Sequence, residues 1–416
     1  MIRTHILPCD LPQLVCDNLN AASGEVYTKV CVTHWRIYRK KSIWLSKYGA
    51  ERINDGYKCT NILHCHSIDA AQQGFYKACQ TARACRKIGV NNAHFPHRRK
   101  KFRTTIWKSM AIRFKNGILV LSNGRGNPLI IIKLSPVFQP VLRFLEVRLV
   151  FNKSANKYFW HIVVENGKQA MIPQGDNVVS VDLGEIHPAV VGDECESTII
   201  TCRELRHENQ GFNKRMASLN QAISRTTKYS KKWWRLVRVR TRLKTKHRSV
   251  INDMGHKISR AIVDVAVERK ANLIVIGDVR NISRGINLSK SSNQKISGWN
   301  HGKIVELTKY KAEAEGIKTQ LENEAYTTQT CPQCGERHKP KGRNYACPSC
   351  GFSCHRDVVG QINILSVHKF KEPGKILPGI TKHREPYSIR RTRRRRDTGH
   401  GKSRVACRTL QETSSF

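Results

Sequence analysis

Acidic residues are scarce in this 416-residue chain, where 31 Asp and Glu face 74 Lys and Arg and the formal charge is +43. A compact protein this basic repels itself unless a polyanion neutralises it, so nucleic acid is the expected partner. Long apolar runs are lacking as well. No stretch is long enough to span a bilayer and no lipidation motif is present, which argues against a membrane surface as the polyanion. The first residues, MIRTHILPCDLPQLVCDNLN, contain no continuous apolar core of the secretory kind, so a cytosolic protein is expected. What is not lacking is length, enough for two or three domains with real cores, and the apolar content of 39% is compatible with folding.

Cysteine is plentiful, and four of the 15 cysteines fall into a pattern with chemical meaning. Cys331, Cys334, Cys347 and Cys350 form C-x2-C-x12-C-x2-C, in which each pair can bend around one ion so that four thiolates make a tetrahedron. Paired thiols at this spacing in a reducing compartment favour structural zinc over a disulfide. Directly behind them come His355, Arg356 and Asp357, then Val358, Ile362 and Leu365 at helical spacing. An acidic residue is therefore carried at the start of an amphipathic helix beside a metal-stapled module.

Upstream, residues 1 to about 100 read as helices in segments such as Gln72 to Ile88. Trp35, Tyr38, Trp44 and Tyr48 are interleaved there with Arg36, Arg39, Lys40, Lys41 and Lys47. Aromatics among cations suit base stacking with phosphate contact, and equally suit a packed helical face with a solvated basic side. Cys59, His64, Cys65 and His66 have no defensible ligand spacing and read as accidental. After the basic run His97 to Lys101, short apolar runs (Ile118–Leu121, Leu129–Ile132, Val147–Phe151, Phe159–Val164) separated by turn residues predict an antiparallel, barrel-like β domain.

From Asn177, NVVSVDLGEIHPAVVGD reads as a buried strand ending in Asp182, a glycine turn and a second strand. That is how an RNase H-like fold opens. A helical region over Glu208 to Lys270 follows. Its second half carries one apolar stripe (His247, Ile251, Met254, Ile258, Ile262, Val265), and its first half carries cations of uniform sign around Trp233 and Trp234. A strand over Leu273–Ile276 ends at Gly277 and Asp278, a helix runs from about Gly302 to Glu315, and a strand covers Ile317–Leu321. The order predicts a mixed-sheet α/β domain whose distant acidic residues converge at one end of the sheet.

The combination VSVDLG, LIVIGD, EAYTTQTCPQCG, YACPSCG and HRDVVGQINIL resembles the TnpB (OrfB) proteins of bacterial insertion sequences, relatives of type V CRISPR effectors. The resemblance covers about residues 100 to 366. It implies a RuvC-like nuclease, guided by an RNA from the element's end, that cuts double-stranded DNA beside a transposon-adjacent motif in the bacterial cytoplasm. It also implies the layout: a β-barrel-like wedge with helical recognition region over 1–175, the first part of the RuvC-like domain over 176–325, a zinc ribbon over 326–353, the final nuclease helix over 354–366, and a basic disordered tail over 367–416.

The expected chemistry is two-metal hydrolysis of a phosphodiester by two magnesium ions about 4 Å apart. Magnesium requires hard oxygen ligands, so Asp182 would bridge the ions and Asp357 would complete one site. Zinc held by four thiolates has no open position and takes no part. The third carboxylate departs from the family, because most members have Glu where this chain has Gly277. Asp278 is adjacent, but successive strand residues face opposite sides, and it would need a bulge. Glu324 lies just past the neighbouring strand, within reach across about 4.8 Å. Glu322 is the weaker choice on that strand. The alternatives to an active enzyme are a nuclease-dead RNA-guided DNA binder and a transposition accessory.

Overall fold

The computed structural model describes residues 2–54, 62–134, 143–165, 172, 175–279, 289–340 and 342–386. Strand β1 (Ile2–Pro8) leads into helices α1 (Gln13–Lys41), α2 (Lys47–Asn54) and α3 (Cys65–Lys87), and then into β2 (Thr105–Lys108), β3 (Ile112–Lys115), β4 (Ile118–Leu121), β5 (Ile130–Lys133), β6 (Arg143–Asn152) and β7 (Lys157–Glu165). Helix α1 stops where Ser42 turns left-handed at φ 53° and its N–H donates to the Tyr38 carbonyl at 2.8 Å.

The strands make two antiparallel sheets, β1-β7-β6-β2 and β3-β4-β5. Alternation decides what faces inward. In β5, Ile130 and Ile132 are buried while Ile131 between them is exposed. Both sheets contribute to one core with Trp107, Trp160, Leu149, Leu119 and Leu121, in which the two indoles meet edge to face at 5.9 Å. Each such side chain contributes roughly 2–3 kcal/mol through its removal from water.

Of the interleaved aromatics, Trp35, Tyr38 and Trp44 pack together. Trp35 Nε1 donates to the Pro96 carbonyl at 2.8 Å, and the Arg83 guanidinium lies 4.1 Å over Trp44. Tyr48 stays exposed. In the accidental group, His64 caps α3 by accepting from the His66 N–H at 3.2 Å, and Cys59 lies outside the described residues.

The second half contains β8 (Asn177–Asp182), β9 (Ala189–Gly192), β10 (Glu196–Ile200), α4 (Arg203–Ser224), α5 (Lys231–Glu268), β11 (Ala271–Gly277), α6 (Lys290–Ser297), α7 (His301–Ala314), β12 (Lys318–Glu322), β13 (Asn344–Ala346), β14 (Ser353–His355), α8 (Arg356–Phe370) and β15 (Ile380–Arg384). Six strands form a mixed sheet in the order β12-β11-β8-β9-β10-β15. β11 runs parallel to both β8 and β12, whereas β8, β9 and β10 form an antiparallel meander. The stripe Ile251, Met254, Ile258, Ile262 and Val265 of α5 is buried in the same core as Val179, Val181 and Ile274 of the strands.

Two expectations need correction. The helical region over 208–270 is divided, because Tyr229 adopts φ 67° and the Ser230 hydroxyl caps α5 by accepting from the Trp233 N–H at 3.1 Å. The tail expected from residue 367 is not disordered from its start: α8 continues to Phe370, and β15 pairs parallel with β10, Ile200 opposite Arg384. Residues 387–416, with the arginine block, lie outside the described residues.

Candidate active site

Helix α8 lies against the sheet and is buried continuously from Asp357 to Ser366. Buried polar groups need partners, and those of α8 bind the site's other elements. The Gln361 amide donates to the Gly192 carbonyl at 3.0 Å and to the Ser180 hydroxyl at 2.7 Å, while its oxygen accepts from the Ser197 hydroxyl at 2.6 Å. One side chain thereby ties β8, β9 and β10 to the helix. The Asn363 amide donates to the carbonyls of Thr327 and Thr330 at 2.7 and 2.8 Å, pinning the turn that begins at Glu324.

Ser180 faces α8, so two residues on, at the end of the same strand, Asp182 faces it too. Close approach is permitted by a glycine: a Cβ on Gly360 would lie 2.6 Å from Asp182 Oδ2. Asp357 sits in the first turn of α8, where the helix N-terminus favours negative charge. Its Oδ2 accepts from Arg343 Nη1 at 2.7 Å, and its Oδ1 lies 3.6 Å from Arg356 Nε.

Glu324 follows β12 by two residues. A Cβ on Gly277 would lie 2.9 Å from Glu324 Oε2 and 2.9 Å from Ile364 Cδ1, so the Glu324 carboxylate fills the space over Gly277 on the face toward α8. Asp278 is the next residue along, with its N–H donating to the Glu322 carbonyl at 2.8 Å. Glu322 pairs with Gly277 in register, but its carboxylate is engaged elsewhere, 3.5 Å from His368 Nδ1.

The electrostatics agree with this gathering. Burial pushes the Asp182 carboxyl well above its ordinary range, with the charges of Glu324 and Asp357 adding to the effect and Arg356 opposing it. Burial, then the charge of Asp278, raises Glu324 to about 7. Carboxylates crowded in this way resist ionising together unless a cation joins them. The donors are hard oxygens carried by three separate elements, a chemistry that suits magnesium, although these three carboxylates are not all within 4.8 Å of one another.

A second cluster lies beside the first. The sulfurs of Cys331, Cys334, Cys347 and Cys350 all lie within 4.8 Å of one another, with Cys331–Cys350 and Cys334–Cys347 at 3.6 Å. Sulfurs around a tetrahedral zinc at 2.3 Å stand about 3.8 Å apart, so this set fits zinc. β13 and β14 lie between and behind the two knuckles, with Tyr345 fully buried under them.

The sequence reading missed Arg343, Gly360, Gln361 and Asn363. The last two had a signal, as amides on buried positions of an apolar helix. Arg343 had none, since its contact depends on how the four-cysteine segment folds back over α8.

A family model described as the Cas12f1-like TNB domain matches residues 301–364, the stretch that carries Glu324, the four cysteines and Asp357. A TnpB-like protein of Methanocaldococcus jannaschii is 26% identical over 192 residues, 45% of this chain and 66% of that protein. The chain is thus similar in sequence to TnpB-like proteins over part of its length. A CRISPR-associated endodeoxyribonuclease Cas12f1 of Sulfoacidibacillus thermotolerans is 23% identical over 266 residues, covering 62% of this chain and 60% of that protein. The matches thus span less than two thirds of those relatives' own length. A solved Cas12f1–sgRNA–target DNA complex shares the mixed α/β fold, with TM-score 0.55 and 11% identity over 85% of this chain and 83% of that one.

Proposed function

We propose that this chain is an RNA-guided DNA endonuclease of a transposable element, cutting double-stranded DNA beside a transposon-adjacent motif. What supports the reading is that Glu324, in the turn after β12, and Asp357, in the first turn of α8, both bring charge to the buried Asp182 at the end of β8, with Glu324 in the space above Gly277. Under this reading the six-stranded sheet with its helices is a RuvC-like nuclease domain. The two N-terminal sheets are the wedge, and Cys331, Cys334, Cys347 and Cys350 hold a zinc ribbon between β12 and α8.

Magnesium, when bound, would activate water and stabilise the leaving oxygen of the phosphodiester. The chain's own residues do the rest. Asp182, central among the three, would hold both ions, with Glu324 and Asp357 completing one site each. Gly277 and Gly360 leave room for those carboxylates, and Gln361 and Asn363 keep their elements in register. Arg343 and Arg356 hold Asp357 in place and bring positive charge toward a scissile phosphate. The excess of cations is the electrostatic footprint of a guide RNA and its DNA target. Among the described residues no helix is long and apolar enough to cross a membrane.

The test is cleavage of a plasmid library by the purified chain with its co-purified RNA, which is sequenced to define the guide. Magnesium-dependent cutting at a guide match, abolished in Asp182→Ala and reduced at least 100-fold in Glu324→Gln, is expected. Guided binding without cutting would replace the endonuclease with an RNA-guided DNA binder. A chain that carries no defined RNA would overturn both.

A further inference from the structure

On the far side of Asp357 lies a group of donors that carboxylate chemistry leaves unused. His187, in the turn after β8, and His355, the N-cap of α8, each offer a ring nitrogen that lies with a carboxylate oxygen of Asp357 inside a 4.8 Å cluster. The two imidazoles meet edge to face at 5.3 Å. Nδ1 of His187 is buried without a hydrogen-bond partner, a costly state for a polar atom that a ligand would relieve. Three donors, His187 from the turn after β8 with His355 and Asp357 from the start of α8, offer two nitrogens and one oxygen, leave open positions on a bound ion, and suit zinc, copper, iron or nickel better than magnesium.

We propose that His187, His355 and Asp357 form a binding site for a divalent transition metal, zinc being the reference ion, and that the site shares Asp357 with the magnesium pair. Two features set its strength. The His355 nitrogen that caps α8 does so through a long bond of 3.3 Å from the Asp357 N–H, which ligation can displace. Arg343, Arg356 and His383 put positive charge near the imidazoles, and Arg343 already holds Oδ2 of Asp357. The site is therefore weaker than the four-thiolate one and is emptied first. The consequence for catalysis, which rests on the nuclease reading, is that zinc here draws Asp357 away from magnesium and inhibits cutting.

The experiment counts metal in the full chain. Wild-type protein and His187→Ala are saturated with zinc chloride alone, desalted and analysed for zinc per chain by elemental mass spectrometry, with circular dichroism as the check on folding. Wild type is expected to carry one zinc more than His187→Ala, and a mild chelator is expected to remove that ion before the thiolate-bound one. Cobalt in place of zinc should add a visible ligand-field band, lost in His187→Ala, separate from the thiolate charge-transfer bands. Asp182→Ala should retain the additional ion, so a failed nuclease reading leaves this count untouched. Equal zinc counts in wild type and folded His187→Ala would overturn the site.

Discussion

The carboxylate of Glu324 stands where a side chain on Gly277 would stand, since a Cβ there comes within 2.9 Å of Glu324 Oε2. On the proposed function the two positions would be alternative sources of one charge, one at the end of β11 and one two residues past β12, whose parallel register sets Gly277 beside Glu322. Replacing Glu324 by Gln should lower magnesium-dependent cutting at least 100-fold, about 3 kcal/mol of transition-state stabilisation. Adding Glu at 277 while Glu324 remains should overpack the space and cost roughly 1–3 kcal/mol of stability in a thermal melt. The exchange Gly277→Glu with Glu324→Gly should recover at least tenfold over Glu324→Gln in the same plasmid assay. Full cutting by Glu324→Gln would remove this carboxylate from the site.

The same carboxylate gives the stability of the metal-free protein a pH dependence of known sign. Its folded value, about 7, lies above the ordinary 4.5, so between these pH values the folded state binds more protons than the unfolded state. Stability from this source is therefore complete below about 4.5 and is lost as pH rises to about 7, by at most about 3 kcal/mol. Asp182 shifts in the same direction. Histidines held low by burial act oppositely, which is why the comparison is with Glu324→Gln at each pH. Wild type should lose stability relative to that variant as pH rises, and saturating magnesium should reverse the loss, as read from melting temperatures. A flat difference across this window would show that Glu324 keeps its charge in the folded state.

The sequence revealed what depends on local spacing. Asp182 and Asp357 announced themselves through a strand end and a helix start, and the four cysteines through paired knuckles. Glu324 was within reach of a topological argument, because parallel strands in a βα order are neighbours. β15 was not legible. Its residues ITKHR are mostly exposed with no apolar alternation, and only the parallel pairing with β10 makes them a strand. Arg343 and His187 were hidden for a different reason, since each meets Asp357 only after the cysteine-bearing segment and the turn after β8 close over the start of α8.

Under the proposed function, that closure would make the four thiols matter to catalysis at a distance. Arg343 stands one residue before β13, between the two knuckles, and its hold on Asp357 at 2.7 Å depends on their fold. Stripping the thiolate-bound metal, or changing Cys347 to Ser, should unfold the module and expose Tyr345. Cutting should then fall about 10- to 100-fold even with magnesium in excess, as for the loss of groups that orient metal ligands. Arg343→Gln should reproduce the fall without loss of the metal. Undiminished cutting by fully stripped protein, with zinc absent by elemental analysis, would show the module to be dispensable for the chemistry.

Residues 231–248, the first half of α5, contain no acidic residue, and Arg238, Arg242 and Lys246 are exposed along one face at four-residue steps. Cations repeated at that interval with no acid among them are suited to a polyanion rather than to internal pairing. Each phosphate contact releases counterions and adds about 0.7 to 0.9 to the slope of log affinity against log salt. Changing all three to Gln, a good helix former, should keep the helix by circular dichroism while flattening that slope by roughly two to three. Affinity for the guide RNA or its duplex with target should fall at least tenfold at low salt and much less at high salt. The measurement is a filter-binding or fluorescence titration over a salt series, and an unchanged slope would mean that this face of α5 points to solvent in the assembled complex.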